Sequence, residues 1–178
     1  MSVLRFFMLL SMVIWVGGII FFSFVVAPAL FSVLPTRHLS GLVVTRTLTS
    51  LHWIGVVCGG IFLICSTFLA YRTSGSVQAT AARNLLVFAM VVATLFSQMG
   101  VSTKMAALRA EMGEIDKIPA ADPRRLAFNH LHQWSTGLEV IVLVLGLATL
   151  YIIARNWAIP VMNALSTRSL SNTAGFRR

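Results

Sequence analysis

The sequence predicts an all-α membrane protein, an up-down four-helix transmembrane bundle, and three observations carry that expectation. Residues 6–34 form an apolar run without one charged side chain, longer than the roughly 20 residues a bilayer-spanning helix needs. Of the 178 residues, 57% are hydrophobic and 11% charged, against about 25% charged in a soluble domain, and the mean hydropathy is +0.86. Three further apolar runs follow, separated by short segments that gather the proline, glycine and charged residues.

Span one is residues 6–34, stopped by Pro35. Arg5 ahead of it and Ala27, Pro28, Ala29 within it resemble a cleavable signal peptide, but the run exceeds an apolar region of about 7 to 15 residues, so an uncleaved span is expected. Span two is residues 51–71. A helix-compatible lead-in over 36–50, with Arg37, His38 and Arg46, is expected at the membrane interface. Cys58 and Cys65 stand seven apart in this span, about 10 Å along a helix, too far for a disulfide. Residues 72–80, with Ser74, Gly75 and Ser76, read as a turn.

Span three is residues 85–103, and its period continues: Met105, Leu108, Met112 and Ile115 recur at spacings of three and four, with Lys104, Arg109, Glu111 and Glu114 on other faces. Helix three, and helix two through its lead-in, are therefore expected to extend beyond the bilayer on the side opposite the termini. Pro119 and Pro123 break the chain, and span four is residues 131–154. Residues 1–155 then form one membrane domain, and 156–178 a flexible basic tail. No internal repeat is evident. Gly17, Gly18, Gly55, Gly59, Gly60, Gly137 and Gly146 are the expected points of close helix contact.

A formal charge of +9 would suggest nucleic acid in a soluble chain. Here the cations flank apolar runs, as lipid-facing anchors do, so the partner expected is the bilayer, with no nucleic acid. Lysine and arginine divide equally between the two sides, and the expectation is a bacterial inner membrane with both termini cytoplasmic. No Ser-His-Asp set, phosphate loop or dense metal motif argues for an enzyme.

Polar residues inside spans are expensive and point to function. In span four, Asn129, His132, Ser135 or Thr136, and Glu139 recur at spacings of three and four and form one helix face. Glu139 is the only acidic residue within a span. Thr94, Gln98 and Ser102 form a second stripe on span three, so Glu139 is expected to face span three and bond to Gln98 or His132. The ligand or ion site is therefore Glu139, Gln98, His132, Ser135 and Thr94. In an up-down bundle His52 and His132 reach similar depth, which suits axial ligation of haem b or a copper site; the bland reading is interfacial hydrogen bonding. Trp15, Trp53, Trp134 and Trp157 read as interface or core aromatics. Met99, Met105 and Met112 have the spacing of an apolar helix face rather than of soft copper ligands.

Phe128, His132 and Ser135, in an F-x-x-x-H-x-x-S arrangement, resemble the last-span motif of the transmembrane protein 205 family and its bacterial relatives carrying a domain of unknown function. Trp15 and Gly17, then Pro28, Leu30, Phe31 and Leu34, resemble that family's W-x-G and P-x-L-F-x-x-L patterns, and Lys104, Met105, Leu108 and Arg109 its third-span exit. The likeness covers the chain to about Arg155. Eukaryotic members carry Asn where Glu139 stands and Pro where Ser102 stands. The resemblance implies a four-span membrane protein without an established biochemical activity; in animals the name is associated with tolerance to platinum drugs and with vesicle traffic. A looser likeness, through Trp15, Gly17 and Gly18, is to membrane proteins of haem or copper handling.

Three functions follow as expectations. The first is a non-enzymatic bundle whose polar stripe binds or passes a small solute, ion or proton. The second is a haem b or copper protein using His52 and His132. The third is an accessory subunit, or a homo-oligomer, docking through the face of Met105, Leu108, Met112 and Ile115.

Overall fold

A computed structural model describes the backbone of residues 2–74 and 81–175 and the side chains of residues 2–72 and 82–155. Four helices are long and apolar enough to cross a membrane: α1 (Ser2–Val33), α2 (Arg37–Ser74), α3 (Ala82–Met112) and α4 (Pro123–Gly175). The lead-in over 36–50 is not a separate element: from Arg37 onward it is continuous with span two, so α2 is extended at that end as α3 is. The turn expected over 72–80 falls mostly outside the described residues. The backbone of α4 stays helical to Gly175, past the boundary expected at Arg155, and the tail's side chains lie outside the described residues.

Local chemistry sets the helix ends. Leu34 is extended, as a residue before proline prefers to be, and closes α1. The Thr36 hydroxyl accepts the Leu39 N–H at 3.2 Å and caps the start of α2. Gly113 ends α3 with its N–H on the Arg109 carbonyl at 3.0 Å and a φ of +65°, the only positive φ among the described residues. Asp122 caps α4, its carboxylate accepting the Arg124 N–H at 2.8 Å, with Pro123 at the first helical position.

Two helices contain a π turn, at Phe22–Val26 in α1 and Ser97–Ser102 in α3. The first has a visible cause. Pro28 has no N–H to give the Phe24 carbonyl, and the Ala27 N–H reaches back five residues to Phe22.

The helices form a ring in which α1 packs on α2, α2 on α3, α3 on α4, and α4 on α1. This leaves α2 and α4 on a diagonal. Large apolar side chains such as Val3, Phe24, Val33, Ile64 and Phe88 point outward around the ring, as a lipid-facing surface requires. The dry core centres on Trp15, 1% exposed, with Met12, Phe62, Val87 and Met90 buried around it. Gly55 and Gly59 are where the indole lies: a Cβ at Gly55 would come 2.3 Å from Trp15 Nε1, and one at Gly59 would come 2.9 Å from its Cζ3. Gly18 and Gly146 also sit at contacts, against Leu51 and against Val16 and Met90. Gly17, Gly60 and Gly137 do not, since a Cβ on any of them meets nothing within 4 Å.

Of the expected docking face, Met112 is buried, and Met105, Leu108 and Ile115 are half-buried, Met105 and Ile115 lining a cavity. The segment after Gly113 is tied to the bundle end, with the Asp116 carboxylate accepting the His38 backbone N–H at 3.0 Å and the Arg125 guanidinium donating to the Ile118 carbonyl.

Candidate functional site

His52 is 3% exposed within the span of α2, and a buried imidazole needs a partner at each ring nitrogen. It has both. Its Nδ1 lies 2.9 Å from Gln98 Oε1, and its Nε2 lies 3.0 Å from Glu139 Oε2. Gln98 presents a carbonyl oxygen, which only accepts, so Nδ1 carries a proton and donates it. The Nε2 contact then holds one further proton in either of two arrangements. The imidazolium donates to the Glu139 carboxylate, or the neutral ring accepts from the Glu139 carboxylic acid. In both, the pair is neutral as a unit.

This triad joins three helices and crosses the diagonal of the ring, tying α2 to α4 through the bundle interior. Each member stands about 21–24 Å from the end of its helix at the 34–36 and 113–122 connections, at 1.5 Å per residue. Gln98 sits in the π turn of α3, an irregularity that re-aims side chains and recurs at functional sites.

Glu139 was expected to bond to Gln98 or His132, but its partner is His52, and Gln98 meets the opposite side of the same imidazole. Of the span-four stripe, Ser135 is buried and Asn129, His132 and Thr136 are exposed, and all of these with Glu139 line one cavity of about 530 Å³ between the four helices at the loop end. Ser102 joins that lining. Thr94 does not, and is buried elsewhere in α3. The Glu139 side chain, 15% exposed, belongs to both the triad and the cavity.

The cavity's other polar groups come from residues read as ordinary flanking charges. Arg37, Arg109 and Arg125 line it, with His38. Arg109 donates through Nη1 to the Gly41 carbonyl at 3.2 Å and the Thr45 hydroxyl at 2.8 Å, and its guanidinium lies 5.2 Å over the Phe128 ring. Arg109 Nε and His38 Nδ1 are buried without a hydrogen-bond partner. A signal for this wall was present: Gly41, Thr45, Thr49 and His52 recur at spacings of four, four and three along α2, a third polar stripe matching those on α3 and α4.

Both His52 nitrogens are engaged, so ligation through Nε2 requires the Glu139 bond to break, and no group of three or more His, Cys, Asp or Glu among the described residues is placed to hold a metal ion. His132 lines the cavity apart from the triad. The buried Trp15 cluster lies outside the lining of this cavity.

A protein-family model described as a domain of unknown function (DUF4149) matches residues 10–114, which carries His52, Gln98, Arg37 and Arg109 and stops short of Glu139. No curated protein and no solved structure matches the chain.

Proposed function

The chain belongs to the DUF4149 family, whose description names no activity, and from the site itself we propose that this protein is a non-enzymatic membrane bundle that binds a small solute in the loop-end cavity and holds an exchangeable proton at its floor. One observation carries the reading: Glu139, an acidic side chain inside a span, is at once a wall of a cavity of about 530 Å³ and half of a proton-sharing pair with His52. A site for a bare ion would need little room. A water occupies about 30 Å³ of liquid, so this space suits a molecule of the size that ligand pockets commonly take.

The motifs shared with the transmembrane protein 205 family support placing the chain beside that family, and a bacterial inner membrane is the setting in which we read it. Native mass spectrometry of protein released from its own membrane tests the binding reading. Wild type should carry a small molecule at unit stoichiometry. Ala106→Trp, which fills the cavity from α3, should lose it, and Ala107→Trp, on the same helix outside the lining, should keep it. Identical occupancy in wild type and Ala106→Trp, or no bound molecule in either, overturns the proposal.

A further inference from the structure

The cavity's charge is one-sided. Its lining holds three arginines and a single acid, Glu139, and that acid is neutralised as a unit with His52. None of Arg37, Arg109 and Arg125 forms an ion pair with a carboxylate among the described residues; the ion pairs present are His52 with Glu139, Lys117 with Glu114, and Arg124 with Asp122. A partly buried guanidinium without a carboxylate partner loses hydration, a cost that a bound anion offsets. Arg109 shows the shortfall directly, since its buried Nε has no partner, and the buried Nδ1 of His38 on the same wall has none either. The lining also holds apolar side chains, Ile19, Phe22, Leu48 and Leu143 among them.

Resting on the binding reading above, we propose that the cavity takes an anionic amphiphile: an oxyanion head, carboxylate or phosphate, set among Arg37, Arg109 and Arg125, with a short apolar tail against Ile19, Phe22, Leu48 and Leu143. Arginine suits the head because its planar donors match an oxyanion's paired acceptors. The neutral His52–Glu139 unit lets the tail lie alongside without meeting a net like charge.

Full-length protein in an uncharged maltoside detergent, followed through thermal unfolding by tryptophan fluorescence, tests this with dodecyl phosphate, inorganic phosphate and dodecyltrimethylammonium as probes. Dodecyl phosphate should raise the unfolding midpoint saturably, while the other two at equal concentration should not. Arg37→Gln and Arg109→Gln should each weaken the apparent affinity about tenfold, the scale of one charge-assisted hydrogen bond. Arg46→Gln, an exposed arginine outside the cavity, should leave it unchanged. Arg109 also ties Gly41 and Thr45, so if its variant does not fold, the exposed Arg37 decides. An equal shift with inorganic phosphate overturns the tail, and an equal shift with the cation overturns the charge. Weakening in Arg46→Gln as large as in Arg37→Gln reveals adsorption to a charged micelle and overturns the site. A failure of dodecyl phosphate alongside a solute lost from Ala106→Trp overturns the anionic class and leaves the binding reading standing.

Discussion

The two ends of the bundle solve the same packing problem in opposite ways. Around Trp15 the helices approach through glycine, the indole fills the gap, and among the residues named there only apolar surface meets. At the loop end the same four helices stand apart around a cavity, and the space is edged by arginine, histidine, hydroxyls and Glu139. Both π turns lie in the second region and neither in the first. Without a strong hydrophobic drive between helices in lipid, close packing is what holds the first end. The second end therefore depends on hydrogen bonds across the ring, and its irregular backbone is tolerated because the first end fixes the helices. Rigidity and chemistry are separated along the bundle axis, with the triad at the boundary.

The sharpest way to break that division is at Trp15. Trp15→Ala should destabilise the bundle by about 3 to 5 kcal/mol, the cost of emptying an aromatic site in a packed core, measured by reversible unfolding in mixed micelles. Gly55→Ala should cost about 1 to 3 kcal/mol through overpacking on the indole. In the Trp15→Ala background that second cost should largely vanish, because the atoms that a Cβ would strike are gone; full additivity would show that the indole is not seated on Gly55.

The boundary comes next. Glu139→Leu leaves the buried His52 Nε2 unpaired and should cost about 1 to 3 kcal/mol. Glu139→Gln keeps a hydrogen-bonding side chain at that place and should cost a fraction as much, while removing the exchangeable proton. Equal losses in the two variants would mean that Glu139 contributes only its volume. On the cavity side, Thr45→Val removes one acceptor from Arg109 and should cost about 1 kcal/mol, again by unfolding in micelles.

The smallest effect is expected outside the spans. The Arg124 side chain and then its backbone N–H hold the Asp122 carboxyl below its usual range. A group depressed in the folded state stabilises above its unfolded pKa, and the contribution is lost as pH falls through the folded value. Acidification should therefore loosen the start of α4, seen as faster hydrogen exchange at the Arg124 and Leu126 amides, with the Trp15 layer unaffected. Salt should weaken the effect, since the pair is exposed. Uniform loosening of both ends would contradict the division between them.

The spans were legible because composition and length speak for themselves in a bilayer protein, and the α4 stripe because a period of three and four survives any packing arrangement. The partner of Glu139 was not legible. Which helix faces which depends on the order around the ring, and His52 reaches Glu139 only because α2 and α4 stand on its diagonal. The place of Arg109 has a related reason: it lies off the apolar face of its helix, and its contacts with Gly41 and Thr45 on α2 and with the Phe128 ring on α4 make that side a wall. Of the expected docking face, Met112 is buried and Met105 and Ile115 line the cavity, which an apolar period along one helix does not distinguish from a surface stripe. On α2, Gly41, Thr45 and Thr49 carry no charge, so the stripe that ends at His52 gives no electrostatic signal in the sequence.

The π turn at Ser97–Ser102 bears on which changes in chain length this sequence can absorb. Compared with an α-helical turn, it accommodates one additional residue. Deleting one residue there would restore ordinary α-helical bonding and keep the part of α3 C-terminal to it near its present orientation, where a deletion from a regular helix would swing it by about 100° around the axis. Arg109 and Met105 would stay on the cavity wall, while the turn's own side chains, Gln98 among them, would be re-aimed. The pocket wall thus tolerates the loss of one residue in this turn, and the His52–Gln98 contact does not.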